Sequence, residues 1–171
     1  LRKDVHRLST ITDRFSKNGS NPSLVPENVV SVINESVSYL KTRTSQKIIY
    51  SINVTPEQSI LVPLNLQLFE WVIENLVKNA VDAMTRQGII TIDITEEEHV
   101  VNIDIADTGK GIPRNMFRTI FNPGYTSKQR GWGLGLSLSK RIINEYHKGK
   151  IFVKSSTLGK GTTFRIVLTK S

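Results

Sequence analysis

The sequence predicts an α+β fold: a two-layer sandwich with about three helices on one face of a mixed sheet, plus a further helix at the N-terminus. Alternating apolar segments come in consecutive pairs joined by short polar turns, as strands in hairpins do. Longer segments carry apolar residues at spacings of three and four, as amphipathic helices do. The resulting core order, α-β-α-β-β-loop-α-β-β, groups strands together instead of alternating each with a helix, which places the helices on one side.

The elements follow in order. Residues 1–17 repeat Leu1, Val5, Leu8, Ile11, Thr12 and Phe15 along one stripe, with charge opposite, and end at the turn formers Asn18-Gly19-Ser20-Asn21-Pro22. A narrow stripe at a chain end suits packing on another helix, as in a dimer. Residues 27–42 form a helix with Val29, Val30, Ile33, Val37 and Leu40 inward, and Lys47 to Val54 a β-branched strand. The longest helix covers 64–84, with Leu66, Phe69, Ile73, Leu76, Ala80 and Ala83 as its core stripe. Gly88 to Thr95 and Val100 to Ala106 form a hairpin with Glu96-Glu97-Glu98-His99 at its tip. A glycine-rich stretch from Asp107 to Gly135 leads into a helix from Leu134 to Tyr146, capped by Gly149. Strands Lys150 to Ser155 and Thr162 to Thr169 close the fold around Leu158-Gly159-Lys160-Gly161.

The chain has 171 residues, 38% hydrophobic and 22% charged, enough for one domain with a real core. No cysteine is present, so no disulfide framework or thiolate metal site exists, and the three histidines lack metal-ligand spacing. No apolar run reaches membrane-spanning length. The net charge of +8 is scattered, without the basic helix or aromatic-basic run that would indicate nucleic acid. A start at Leu1 is expected of a piece of a longer protein, and any membrane anchor would lie outside it.

Four constellations carry chemistry. Asn75, Asn79 and Asp82 share one face of the long helix, about a quarter-turn from its core stripe. The two asparagine carboxamides can offer oxygen to a hard cation such as magnesium; taken alone, the face reads first as an ordinary solvated one. Asp107-Thr108-Gly109-Lys110-Gly111-Ile112-Pro113 follows a strand, so a carboxylate at the strand end can accept from an exocyclic amine; such a turn is also common without ligand. Gly131-Trp132-Gly133-Leu134-Gly135-Leu136 opens a helix, where free amides bind phosphate, or where a simple hinge sits. Between them, Phe117 and Phe121 anchor a segment that Asn122-Pro123-Gly124 breaks and Lys128 and Arg130 charge, the composition of a lid or of a surface loop.

In this order the four resemble one family. NLVKNAVDAM resembles the N box of histidine kinases, DTGKGIP the first glycine box, FRTIFNPGYTSK the F box with a short lid, and GWGLGLSLSKRII the second glycine box. EYHKGKIFVKSS and GKGTTFRIVL resemble the closing strands. The resemblance runs from about Leu24 to Leu168 and is to the GHKL ATP-binding superfamily, whose fold is of Bergerat type. It implies a catalytic ATP-binding domain over 24–171, with 1–20 as the end of the second helix of a dimerisation hairpin.

The resemblance implies an ATP pocket lined by Asn75, Lys78, Asn79, Asp82, Asp107, Gly109, Gly111, Ile112, Phe121, Lys128, Gly131, Gly133, Leu134, Gly135 and Thr162. Asn79 would ligate Mg2+, Asn75 would lie near the phosphates, Asp107 would hold the adenine amino group, and Thr162 would line the adenine end. Gyrase-type ATPases carry a glutamate where Asn75 stands; a carboxamide takes no proton near neutral pH, which suits phosphoryl transfer to a side chain and not to water. The chain departs from the family at Trp132, Asn122 and Gly124. His6 is followed by Arg7 and not by an acidic residue, so the phosphoacceptor histidine is expected outside this chain; His147 falls in a helix's last turn, where a cation is mildly favourable, at a position the resemblance marks as structural, and His99 falls in a hairpin turn. The implied protein is a cytoplasmic bacterial sensor kinase, homodimeric through its hairpin, with a response regulator receiver domain as partner. The alternatives are a serine kinase of the anti-sigma type and a partner-binding domain without nucleotide.

Overall fold

A computed structural model describes residues 22–56, 59–125 and 135–170. The expected helix over 1–17, His6, the lid residues Lys128 and Arg130, and the segment Gly131, Trp132, Gly133 and Leu134 lie outside the described residues. In chain order the elements are β1 (Val25–Asn28), α1 (Val29–Lys41), β2 (Ile48–Thr55), β3 (Leu61–Leu64), α2 (Leu66–Ala83), β4 (Gly88–Glu96) and β5 (Val100–Asp107). Two short 3-10 turns follow, then α3 (Gly135–Arg141) running into a π-helical turn over Ile142–Tyr146, and finally β6 (Lys150–Thr157) and β7 (Gly161–Thr169).

Five strands form one sheet in the order β2-β4-β5-β7-β6. β2 runs parallel to β4 and the remaining pairs are antiparallel, so the sheet is mixed, as expected. Alternation explains its two faces. Ile90, Ile92 and Ile94 of β4, Val101, Ile103 and Ile105 of β5, and Phe164, Ile166 and Leu168 of β7 are buried towards the helices. On the other face Asp104 accepts from Arg165 at 2.7 and 2.8 Å and from Lys154 at 3.0 Å. Burial alone would raise the Asp104 carboxyl, but these hydrogen bonds and the charges behind them bring it below the ordinary carboxylate value.

Two strands were not expected. β1 and β3 pair antiparallel in a separate ribbon, Val25 opposite Leu64 and Asn28 opposite Leu61. They absorb the residues assigned above to the starts of the two helices. Asn28 and Asn65 are the actual N-caps, their side chains accepting from Val30 N at 3.1 Å and Leu68 N at 3.1 Å. Leu66, expected in the core stripe, is 41% exposed, and Ala83 is only half-buried. α2 instead buries Leu68, Phe69, Trp71, Val72, Ile73, Leu76, Val77, Ala80 and Val81, an arc wider than one stripe. The width follows from its place: it packs on α1, on α3 and on the sheet at once. In α1, Val32 is buried and Val30 only partly.

The last helix also ends differently from expectation. Its final turn closes with His147 N donating to Ile142 O at 3.1 Å, the wide ring of a π turn. The left-handed residue that terminates it is Lys148 (φ 55), not Gly149. Gly149 is required for another reason, since a Cβ there would collide with the carbonyl oxygen of Val167.

His147 is buried at 5% exposure, not a cation at a helix end. Its Nδ1–H donates to Ile142 O at 3.0 Å, and Nε2 accepts from the N–H of Asn65, the cap of α2, at 3.1 Å. That pairing requires the neutral ring, and burial lowers its pKa from 6.5. The folded state therefore binds fewer protons than the unfolded chain below pH 6.5, so stability falls as pH drops through that value towards the lowered folded pKa. Urea titrations should show a loss of about 1 kcal/mol between pH 7.5 and 5.5, and His147→Gln should flatten that slope. An equal slope in the variant would contradict the account. His99 sits at the exposed hairpin tip, as expected, beside Glu98 at 3.7 Å.

Candidate functional site

At the end of β5 the chain turns back on itself around Asp107. Its Oδ1 accepts from Gly109 N at 2.8 Å and from Thr162 N at 3.3 Å, while Oδ2 takes no hydrogen bond from the described residues. Asp107 is only 9% exposed, and burial raises its pKa, partly offset by the two amides. A buried carboxylate with one oxygen fixed and the other open can receive a donor from a ligand.

Close packing forces glycine around it. A Cβ on Gly109 would come within 2.7 Å of the Ala83 backbone at the end of α2, and Lys110 N donates to Ala83 O at 3.0 Å. Gly111 has φ +80 and faces the Thr157 carbonyl, 2.5 Å from where a Cβ would stand. Behind the turn, Thr108 N and Oγ1 both lie 3.4 Å from Met84 Sδ, and Thr85 and Arg86 take left-handed conformations at φ 54 and 68. Each costs on the order of 1 kcal/mol, strain concentrated against the site.

A second group of residues lies one helical segment away. Asn75 on α2 donates through Nδ2 to Ser139 Oγ on α3 at 3.1 Å. Ser139 is fully buried, and a Cβ on Gly135 would sit 2.6 Å from Asn75 Oδ1. The first turn of α3 thus rests directly on the Asn75 carboxamide. Asn79 and Lys78 are half-buried on the same helix, and Asp82 is exposed. Phe121 is buried edge-on against Phe164, ring centroids 6.1 Å apart, with Lys140 over its ring.

Of the expected pocket residues, Asp107, Gly109, Gly111, Ile112 and Thr162 gather at one end and Asn75 and Gly135 at the other. Lys128, Gly131, Gly133 and Leu134 fall outside the described residues. Two serines went unanticipated. Ser139 had no signal beyond its place in an amphipathic helix. Ser156 accepts from Ile112 N at 2.7 Å and stands 2.8 Å from Thr162 Oγ1. It faces the helices because of a bulge: Val153 pairs with Phe164 but Ser155 with Thr163, leaving Lys154 as an extra residue that shifts the alternation. Nothing in the amino-acid pattern announces that shift.

The donor chemistry fits the groups the fold would take. No cluster of three His, Cys, Asp or Glu able to hold a metal ion occurs among the described residues. Asn79 offers one carboxamide oxygen, which suits magnesium carried mainly by phosphate oxygens and water. No helix among the described residues is long and apolar enough to cross a membrane.

The family profile of histidine kinase-, DNA gyrase B- and HSP90-like ATPases matches residues 65–171. The chain belongs to this family, and ATP binding comes with that membership. Sporulation kinase A of Bacillus subtilis is 36% identical over 143 residues, covering 84% of this chain and 23% of that protein. The sensor histidine kinase ZraS of Escherichia coli is 40% identical over 97 residues, covering 57% of this chain and 20% of that one. The catalytic domain of histidine kinase ThkA superposes with a TM-score of 0.78 at 26% identity, covering 86% of this chain and 95% of that domain. The chain therefore spans about a quarter or less of the length of these curated relatives.

Proposed function

We propose that this chain is the phosphoryl-donor domain of a two-component sensor histidine kinase, passing the ATP γ-phosphoryl to a histidine that these residues do not supply. The observation that carries the reading is the state of Asn75. A hydrolase of this superfamily would need a general base there, and the Asn75 carboxamide is neutral and engaged with Ser139. With a carboxamide in place of a base at this position, water is not activated there, which favours transfer to a protein side chain.

In this reading Asp107 Oδ2 accepts the adenine amino group, and the Gly109–Gly111 turn lets the backbone approach the base. Asn79 gives magnesium one oxygen, and the amides at the start of α3, with Lys128, Gly131, Gly133 and Leu134 before it, receive the phosphates. Magnesium supplies charge neutralisation on the phosphates when bound. The residues themselves orient the nucleotide and exclude water. The phosphorylated histidine would pass its group to a response regulator aspartate, and the dimerisation hairpin would bring two copies together. The cytoplasmic side of a bacterial membrane suits both ATP and that partner.

The test is direct. The chain, Mg-ATP and a supplied helical hairpin bearing an acceptor histidine should yield acid-labile, alkali-stable phosphate. Acid-stable phosphoserine would instead favour a serine kinase and overturn the proposal. Asn79→Ala should remove about tenfold of the magnesium-dependent affinity; equal affinity with and without magnesium in both proteins would refute the ligand assignment.

A further inference from the structure

We infer that Ser156 is a positioning residue that fixes the polarity of the Thr162 hydroxyl and so makes the base end of the pocket read an amino group in preference to a carbonyl. The inference rests on the adenine reading of Asp107 above. A serine hydroxyl has one hydrogen to give and two lone pairs to receive. Ser156 Oγ receives one hydrogen from Ile112 N–H at 2.7 Å. It lies 3.0 Å from Gly161 O, which can only accept, so the Ser156 hydrogen goes there. One lone pair remains, and Thr162 Oγ1 stands 2.8 Å away. The Thr162 hydroxyl must then donate to Ser156, which turns its hydrogen away from the pocket.

The reverse arrangement is worse. If Ser156 donated to Thr162, its oxygen would face the Gly161 carbonyl oxygen across 3.0 Å with no hydrogen between them, lone pair against lone pair. The pocket side of Thr162 therefore carries lone pairs only. Asp107 Oδ2 beside it is also an acceptor, and the two residues are tied by Thr162 N donating to Asp107 Oδ1. Asp107 and Thr162 both lie on the helix-facing side, in phase with Ile105 and Phe164. The wall they form accepts hydrogen bonds and gives none. A base with an exocyclic amino group satisfies it, directly at Asp107 and through a bridging water at Thr162. A base with a carbonyl at that position meets only like partial charge.

The Lys154 bulge is what makes this possible, since without the extra residue Ser155 would face the pocket and Ser156 the open face. A device that re-aims one hydroxyl onto a pocket residue is better explained by recognition than by sheet stability, because a bulge interrupts pairing.

Inosine triphosphate is the probe, since it differs from ATP in replacing that amino group by a carbonyl. Calorimetry on the full 171-residue chain should give a preference for ATP over inosine triphosphate of roughly a hundredfold or more. In Ser156→Ala the Thr162 hydroxyl is released to donate, and the ratio should narrow about tenfold. Ser156→Thr keeps a hydroxyl and should restore it. In a Thr162→Val background, Ser156→Ala should leave the ratio unchanged, because the residue it acts through is gone. A purely structural serine would lower both affinities equally and leave the ratio intact, which would overturn this inference while ATP binding stood. Failure of the parent chain to bind ATP would overturn the pocket reading and this inference together. Far-UV circular dichroism identifies a variant that has not folded, and Ser156→Thr then decides alone: a narrowed ratio there counts against the inference.

Discussion

Asp107→Asn is expected to weaken ATP binding by about 2–3 kcal/mol, roughly 30- to 150-fold in Kd, while leaving the fold as stable as before or more so. The two halves of this expectation come from the same carboxylate. Oδ1 holds Gly109 N and Thr162 N, and an Asn oxygen can accept both. Oδ2 becomes an amide nitrogen, which presents hydrogens where the proposed adenine amino group also presents hydrogens. Affinity therefore falls by more than the loss of one bond.

Stability moves the other way because the carboxylate is buried. Its folded pKa is raised above 3.8, chiefly by burial, so between 3.8 and the raised value the folded state holds more protons than the unfolded one. Stability falls as pH rises through that window, and at neutral pH the ionised group is a burden on the fold. Asn removes the burden. Calorimetry with ATP and thermal melting at pH 7 check the two halves separately. A variant that lost stability and affinity together would show that Asp107 is a structural residue first.

The second large effect is at Gly161. Gly161→Ala should cost roughly 2–4 kcal/mol of stability, lowering Tm by roughly 6–12 °C, and abolish nucleotide binding. Gly161 has φ +139, where an L-residue is strained, and a Cβ would collide with the carbonyl oxygen of Asp107. The strands β5 and β7 could make room only by separating at the point where Thr162 N reaches Asp107. Gly159 provides the control. It too has positive φ (+79), but nothing lies within 4 Å of its Cβ position. Gly159→Ala should cost about 1 kcal/mol. Equal losses at the two positions in differential scanning calorimetry would show that backbone conformation, and not the approach of β7 to β5, governs Gly161.

Much of this was legible in the residues themselves. The isoleucine and valine alternation in β4, β5 and β7 defines a sheet with one buried face, and the apolar periodicity of α1 and α2 places them against it. Asp107, Gly109 and Gly111 stood out only through the order of the four motifs, because a carboxylate and two glycines after a strand also make an ordinary turn. The ribbon of β1 and β3 was hidden because each strand is four residues long and abuts a helix of stronger pattern. Ser156 was hidden because a bulge is a property of the pairing between two strands, and the sequence of either one does not contain it. The partner of His147 was hidden for a related reason: Asn65, whose N–H its Nε2 accepts, lies 82 positions away in the chain.

One consequence of α2 reaches beyond stability. Its Asn75 side chain touches Gly135, and its Ala83 carbonyl receives Lys110 N beside Gly109. Those contacts are eight residues apart on one continuous helix, about 12 Å at about 1.5 Å per residue. The helix is thus a ruler laid between the two groups of candidate site residues, and the glycine segments are its two stops. Loops around it can vary in length without altering the gauge. A single residue inserted between Asn75 and Ala83 would lengthen the ruler by about 1.5 Å and turn one stop about 100° from the other. On the proposed nucleotide reading, the span from base to phosphates is therefore set by the rise of a helix.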